Sequence, residues 1–174
     1  MKSRDLKDSE LTAIVGNMTS LRDKCLFILG VKTGFRISEL LSLTPNDVWD
    51  GVKCHDSVTV RRKNMKGKRS SRTIPLHPLA KEALQSYLKT GVPGKLFPMT
   101  RQHAWRVIKE ASRKANLSGT VSTHSMRKTF GMNVYQRTGK NVVAAQRALG
   151  HASLASTTHY LSIGQDEVDA AILA

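Results

Sequence analysis

Residues 149–160 read L-G-H-A-S-L-A-S-T-T-H-Y. Leu149 closes a helical pattern, and Gly150 is the type of residue that ends a helix in the left-handed conformation. His151 follows directly at this break. Small and hydroxylated residues then lead to Tyr160. The stretch therefore predicts a helix end that presents a histidine, followed by a segment that presents a tyrosine.

Two motifs upstream carry arginines. Residues 33–41 read T-G-F-R-I-S-E-L-L, and the pattern predicts that Gly34 ends one helix and that Arg36 stands outward at the start of a short one. Residues 124–127 read H-S-M-R. His124 and Arg127 are three positions apart, so a helix would present both on one face.

Two arginines, two histidines and a tyrosine suit phosphodiester cleavage without a metal. That reaction needs a nucleophile, cationic donors for the phosphate oxygens and an acid for the leaving oxygen. Arginine donates in parallel to two oxygens and keeps its charge. Histidine adds donors that titrate near neutral pH, and tyrosine can form a covalent phosphoester.

The remaining pattern predicts a mainly α fold with a small antiparallel β-sheet (α+β). Strand-like alternation occurs at 48–54, 57–62 and 72–76, and the basic stretch 63–69 forms a hairpin tip. Residues 25–31 are apolar nearly all round, which predicts a central buried helix containing a reduced Cys25. The predicted helix caps are Asp8 or Ser9, Ser20, Thr100, Ser122 or Thr123, and Asn141.

Charge and composition point to a polyanionic partner. The 174 residues include 28 Lys and Arg against 13 Asp and Glu, for a net charge of +15. Nucleic acid is favoured over a membrane surface. A helix beginning after Thr100 has one apolar face, which predicts that Arg101, Trp105 and Arg106 lie outside against DNA. Packing of Trp105 into the core is the alternative.

These motifs resemble the catalytic motifs of the tyrosine recombinase (phage integrase) family. Residues 149–160 match its L-G-H-x-S-x-x-T-T-x-x-Y, and residues 33–40 match T-G-x-R-x-S-E-L. H-S-M-R-K-T-F at 124–130 departs from H-x-L-R-H-T-F at Met126 and Lys128, and neither position has a catalytic assignment. The resemblance covers about residues 11–163.

The resemblance implies a site-specific DNA recombinase that works through a 3′-phosphotyrosine. Tyr160 would be the nucleophile, and the groups around the phosphate would be Arg36, His124, Arg127 and His151. Glu39 would support the arginine, the alternative being an ordinary surface charge. The family also places a general-acid lysine on the hairpin. Counting back from residues 73–75 favours Lys66, counting forward from 58–60 favours Lys63, and Lys66 is preferred. The DNA contacts expected on the hairpin are Lys63, Lys68 and Arg69.

The resemblance further implies no cofactor, because a phosphotyrosine conserves bond energy. His151 and His159 lack accompanying ligands at a recognised metal spacing, so no metal site is predicted. Residues 1–174 are predicted to be a single catalytic domain without the N-terminal core-binding or arm-binding domain of many relatives. An excised domain and a natural short recombinase both fit this reading.

The predicted partner is double-stranded DNA, with a monomer in solution and a tetramer on paired sites. A tail at 165–174 would be exchanged between protomers. No membrane span or signal peptide is predicted, so the expected compartment is the cytoplasm with the nucleoid, or the host cytoplasm for a phage protein. Two alternatives are a type IB topoisomerase or telomere resolvase, and a basic DNA-binding module without catalysis.

Overall fold

A computed structural model describes residues 3–61 and 71–161. The described residues fall into two compact units, one running to Phe130 and the other starting at Gly131. The helices are α1 (Asp8–Gly16), α2 (Leu21–Thr33), α3 (Ile37–Leu40), α4 (Pro78–Leu88), α5 (Arg101–Lys114), α6 (Thr123–Arg137), α7 (Val142–Leu149) and α8 (Leu154–Leu161), and the strands are β1 (Ser57–Val60) and β2 (Arg72–Pro75). This is the predicted mainly α fold with one small antiparallel sheet.

Helix α2 is the centre of the first unit, as its all-round apolar pattern predicts. Cys25, Phe27 and Leu29 are fully or almost fully buried, and the helix packs most extensively against α4. Burial also raises the pKa of the Cys25 thiol, which keeps it protonated. A stretch without a polar face can be stable only if neighbours cover it on every side.

The predicted helix caps are mostly confirmed. The hydroxyl of Ser20 accepts a hydrogen bond from the Asp23 amide at 3.4 Å, and the Thr100 hydroxyl accepts one from His103 at 3.1 Å. Gly34 has φ +61°, and a Cβ at this position would collide with the Phe130 ring. Only glycine therefore ends α2 without strain.

Helix α1 begins one residue earlier than its predicted caps allow. Lys7 precedes it, and the Lys7 backbone N–H donates to Glu10 Oε2 at 2.9 Å. Asp8 and Ser9 are thus inside the first turn. The Glu10 carboxylate accepts the hydrogen bond of the cap residue's backbone N–H, so the helix starts here although the Lys7 side chain has no hydrogen-bond acceptor.

The two strands pair in the register Val58 with Ile74 and Val60 with Arg72. Alternate residues of β2 point inward, so Arg72 and Ile74 are buried while their neighbours are exposed. The prediction of a strand at 48–54 was wrong, since the structure has only an isolated antiparallel bridge between Trp49 and Cys54 there.

The failure of that strand has a local cause at Asp50. Its Oδ1 accepts hydrogen bonds from the Val52 and Lys53 amides, each at 2.8 Å. Gly51 has φ +103°. An Asp-Gly turn of this kind uses the amides that a strand would need for pairing.

The second unit contains the last turns of α6 together with α7 and α8. Its small core consists of Tyr135, Ala145 and Leu161, and the partly buried Tyr160 packs against this core. The predicted cap of α7 is confirmed, because Asn141 Oδ1 accepts from the Ala144 amide at 3.0 Å. Gly150 ends α7 with φ +64°, again as predicted.

None of the helices in the described ranges has the length and apolarity needed to cross a membrane.

Candidate functional site

Arg36 is held at the start of α3 by Glu39. Its backbone N–H donates to Glu39 Oε2 at 2.8 Å, and its Nη1 donates to Glu39 Oε1 at 2.7 Å. Glu39 is fully buried, whereas the Arg36 side chain remains 29% exposed. The carboxylate is therefore not an ordinary surface charge: it caps the short helix and orients the guanidinium, which keeps a face toward solvent.

Arg127 meets the same turn from another part of the chain. It lies on α6, and its Nη1 donates to the Gly34 carbonyl oxygen at 2.6 Å. Only 3% of Arg127 is exposed. Gly34 ends α2 two residues before Arg36, which caps α3. Because Arg127 binds the Gly34 carbonyl, the two arginines are brought to the same turn.

A third arginine, Arg72, belongs to this group and was missed by the sequence reasoning. Its Nη2 donates to Glu39 Oε2 at 3.2 Å and to the Gly34 carbonyl at 3.3 Å. Its guanidinium carbon lies 4.6 Å from the Phe35 ring centroid, a cation–π arrangement. We call Arg36, Arg72 and Arg127, with Glu39 and Gly34, the arginine cluster.

One signal in the sequence could have identified Arg72. It precedes Thr73, Ile74 and Pro75 in an alternating strand, on the same face as the apolar Ile74. A charged residue in phase with buried positions is rarely accommodated without a partner. Its phase therefore indicates an internal ion pair, although it cannot identify the partner.

His124 is exposed near the start of α6, unlike the buried Arg127 one turn later. Its backbone N–H donates to the Ser122 hydroxyl at 3.2 Å, which settles the predicted cap in favour of Ser122. His124 lines a cavity of about 610 Å³ whose wall also includes Arg101 and Trp105. His124 and Arg127 thus occupy the predicted common face of α6, where His124 is exposed and Arg127 is buried.

The outer face of α5 is as predicted. Ala104 and Ile108 are buried, whereas Arg101 and Arg106 are exposed. Trp105 is 42% exposed, so it is not a core residue. Lys109 Nζ lies 4.6 Å from the Trp105 ring centroid. This face presents cations and an aromatic ring together, a combination suited to a nucleic-acid backbone.

The hairpin residues predicted to act in catalysis or DNA binding, Lys63, Lys66, Lys68 and Arg69, lie outside the described residues, and their roles stay predictions.

The second unit holds His151 and Tyr160, which we call the histidine–tyrosine pair. Their rings meet edge to face, with centroids 5.2 Å apart and planes at 85°. His151 follows the left-handed Gly150 at the end of α7, and its backbone N–H donates to the Gln146 carbonyl at 3.1 Å. Tyr160 lies in the last turn of α8.

Thr157 supports the histidine–tyrosine pair and was also missed by the sequence reasoning. Its hydroxyl is 3.0 Å from His151 Nδ1, within hydrogen-bond distance, and 3.5 Å from the Ser153 carbonyl oxygen. Thr157 is fully buried. A hydrogen-bond partner on Nδ1 fixes the orientation of the His151 ring.

Across residues 3–61 and 71–161, no three His, Cys, Asp or Glu side chains cluster in a way that could hold a metal ion.

Comparisons with known proteins identify related sequences along nearly the whole chain. The sequence model described as the phage integrase family matches residues 4–166. The probable integrase/recombinase YoeC of Bacillus subtilis is 34% identical over 158 residues, which cover 86% of this chain and 82% of that protein. The tyrosine recombinase XerD of Halalkalibacterium halodurans is 31% identical over 159 residues.

The match to that XerD covers 83% of this chain and 50% of the relative, so the chain spans about half the relative's length. Among solved structures, the XerH site-specific recombinase in a post-cleavage complex with its palindromic difH substrate superimposes with a TM-score of 0.75. The identity is 23%, and the match covers 97% of this chain and 52% of that one. At this identity the likeness shows a common fold.

Proposed function

The chain belongs to the phage integrase family, and from this premise we propose that it is a site-specific DNA recombinase. It cuts and rejoins strands of double-stranded DNA through a covalent 3′-phosphotyrosine. The observation that carries the proposal is the arginine cluster, in which three guanidinium groups converge on one carbonyl and one carboxylate. Such a surplus of fixed positive charge matches a phosphate that becomes more negative during the reaction.

In the proposed reaction Tyr160 is the nucleophile. A bond forms between Tyr160 Oη and the scissile phosphorus as the bond from phosphorus to the 5′ oxygen breaks. The phenol loses its proton and the 5′ oxygen gains one, which leaves a 3′-phosphotyrosine and a 5′ hydroxyl. Attack by the 5′ hydroxyl of a second strand reverses these steps and completes the exchange. The proposed general acid is Lys66, with Lys63 as the alternative.

Arg36 and Arg127 are proposed to bind the non-bridging oxygens of the scissile phosphate. Both are arginines held by fixed acceptors, which supports a role that depends on orientation as well as charge. Arg127 exposes only 3% of its surface, so buried contacts such as its bond to the Gly34 carbonyl set its orientation. His124 and His151 are proposed as further donors to the phosphate.

The outer face of α5 is proposed to contact the DNA backbone. Arg101, Trp105 and Arg106 are exposed there, and the cavity that His124 lines lies beside Arg101 and Trp105. Phosphate contacts of this kind position a protein on a duplex without reading its sequence. The net charge of +15 would strengthen them at low salt.

Assembly is proposed to depend on DNA. A net charge of +15 opposes self-association until phosphates neutralise it, which supports a monomer in solution and a tetramer on paired sites. The exchanged tail, residues 165–174, lies outside the described residues. Action in the cytoplasm on the nucleoid, or in the host cytoplasm for a phage protein, follows from the DNA substrate. Residues 1–174 are proposed to act as one catalytic domain.

Recombination is favoured over the two alternatives. The relatives reported above are named as recombinases and integrases, which favours strand exchange over topoisomerase or telomere-resolvase activity. A binding module without catalysis would need neither the histidine–tyrosine pair nor the arginine cluster.

The decisive experiment incubates the protein with a nicked suicide duplex that carries a candidate recombination site. A protein–DNA adduct that survives denaturing electrophoresis is expected. Absence of an adduct across sites that the protein binds specifically would contradict the enzymatic proposal. Adduct formation without strand-exchange products on paired sites would favour a topoisomerase.

A further inference from the structure

Arg72 is a buried cation of the arginine cluster and has no assigned role in the proposed reaction. It begins β2 and pairs in register with Val60, which places its side chain on the inward face of the sheet. Only 7% of Arg72 is exposed. Burying a guanidinium is costly unless charged and polar partners compensate for the lost hydration. The contacts of Arg72 must therefore compensate for its burial.

Those contacts are the acceptors that hold the other two arginines. Glu39 Oε2 accepts hydrogen bonds from both the Arg36 backbone N–H and Arg72 Nη2. The Gly34 carbonyl oxygen accepts hydrogen bonds from both Arg127 Nη1 and Arg72 Nη2. One guanidinium nitrogen thus connects the group that orients Arg36 with the group that orients Arg127.

The Phe35 ring completes the setting of Arg72. Phe35 is fully buried between Gly34 and Arg36, and the guanidinium stacks against its face at 4.6 Å. A planar fork that donates at its edge and stacks on its face has few alternative positions. Lysine could supply the charge and donate to the same acceptors, but it could not stack on the ring as a planar guanidinium does.

The charge of Arg72 persists under working conditions. Burial lowers its pKa to about 10, Glu39 opposes that shift, and the positive charge of Arg36 adds to it. The group is still protonated at neutral pH. The arginine cluster consequently carries more positive charge than Glu39 neutralises, even before DNA is present.

We propose that Arg72 is a positioning residue for strand cleavage, which holds the Glu39 carboxylate and the Gly34 carbonyl where they orient Arg36 and Arg127. Its Nη2 donates to both of these acceptors, so the proposed action of Arg72 passes through them to Arg36 and Arg127. The inference rests on the proposed function, because it assigns Arg36 and Arg127 to the scissile phosphate.

The test compares Arg72→Met and Arg72→Lys with the matched control Arg61→Met. Arg61 adjoins the end of β1, is 70% exposed and lies 3.7 Å from Asp47, so the control removes the same charge without an internal contact. Single-turnover adduct formation is measured on the suicide duplex at saturating DNA. DNA affinity and the unfolding midpoint are measured in parallel.

We expect Arg72→Met to slow adduct formation about 100-fold, because two misoriented arginines stabilise the transition state poorly. DNA affinity should change by less than about threefold, and the variant should remain folded at the assay temperature. Arg72→Lys should keep a defect of about tenfold, since a flexible ammonium group cannot stack on Phe35 and holds the two acceptors less rigidly. Arg61→Met should remain within about twofold of wild type.

Combination with Glu39→Gln separates positioning from general stabilisation. If Arg72 acts through Glu39, the double variant should be no slower than the slower single variant. Multiplied defects would overturn the proposal. So would a rate for Arg72→Met within threefold of wild type, or a loss that follows the unfolded fraction. If Arg72→Met does not fold, the same criteria apply to Arg72→Lys.

A second measurement does not depend on activity. Guanidinium NMR signals of Arg36 and Arg127 should be sharp and dispersed in the wild type and in Arg61→Met, and should collapse toward free-arginine positions in Arg72→Lys. Unchanged signals would overturn the positioning role. Wild-type protein that forms no adduct but shows the expected NMR response would contradict the proposed function alone.

Discussion

The arginine cluster is gathered around buried acceptors, whereas the histidine–tyrosine pair lies on a short stretch of mostly exposed residues. Glu39 and Phe35 are fully buried beneath the arginines. In α8 only Thr157 and Leu161 are buried. Groups that stabilise charge are most effective when they are fixed before the reaction, because reorganisation then costs little. A nucleophile must form and break a bond, so it needs access to the phosphate.

The most severe test of this comparison removes the nucleophilic oxygen. Tyr160→Phe should abolish adduct formation, a loss of about 10⁴-fold or more, while DNA affinity stays within about twofold. Electrophoresis of the adduct and fluorescence anisotropy measure the two quantities. The control is Tyr135→Phe, the same change at a core residue of the same unit, which should keep its activity. An adduct in the Tyr160 variant would rule out this nucleophile.

The arginine cluster should stabilise the transition state poorly when Arg36 loses its planar guanidinium group. Arg36→Lys should slow cleavage by about 100- to 1,000-fold, because lysine keeps the charge but cannot donate in parallel. Arg22→Lys is a close control, since Arg22 is also 29% exposed and donates to a carboxylate at 2.8 Å. Single-turnover rates decide the matter, and near wild-type cleavage by Arg36→Lys would exclude the bidentate role.

The surface of α5 should affect binding rather than chemistry. The double variant Arg101→Ala, Arg106→Ala should weaken DNA binding by about 10- to 30-fold at 0.1 M salt and reduce the slope of log affinity against log salt by about two. Titrations at several salt concentrations measure both. The pair Lys53→Ala, Lys89→Ala removes the same charge from exposed positions elsewhere. Equal effects of the two pairs would mean that α5 has no special role.

The histidine–tyrosine pair should respond to loss of the buried Thr157 hydroxyl. Thr157→Val keeps the shape but removes the group 3.0 Å from His151 Nδ1, and we expect cleavage to slow about tenfold. Thr157→Ser should restore most of the rate. Thr158→Val, at a half-buried hydroxyl that donates to the Ala155 carbonyl, serves as the control. If Thr157→Val cleaves at the wild-type rate, the hydroxyl does not orient His151.

The smallest effect concerns the stability of the first unit. Arg4 hydrogen-bonds to Glu10 and to the Ser118 carbonyl, and the Arg4 hydrogen bond lowers the pKa of Glu10 to about 2. A carboxyl with a depressed pKa stabilises the folded state above its ordinary value near 4.5, and this contribution is lost as the pH falls through about 2.

Glu10→Gln should therefore lower the free energy of unfolding by about 1–2 kcal/mol at pH 7, a range that allows for partial exposure of the pair. The difference from wild type should vanish near pH 2. Urea titrations at several pH values measure it, and Asp8→Asn, an exposed neighbour in the same helix, is the control. A difference that does not change with pH would show that the pair does not act through ionisation.

Local interactions explain the features that were predictable from the sequence. The caps at Ser20, Thr100 and Asn141 and the glycine ends at 34 and 150 each depend on residues within one turn. The bond from Arg36 to Glu39 spans three positions and follows from the same local geometry. The strand predicted at 48–54 failed because alternation of side chains does not reveal where backbone amides find acceptors.

The sequence by itself determined the mainly α fold, the helix ends and the motifs that carry the candidate residues, since these depend on short-range periodicity and capping. Only the tertiary structure decided which of these groups meet. The bond from Arg127 to Gly34 spans 93 positions, and that from Arg72 to Gly34 spans 38. Contacts at such separations arise from packing of the whole unit, which no local pattern encodes, and they turn separate motifs into a cluster of fixed charge.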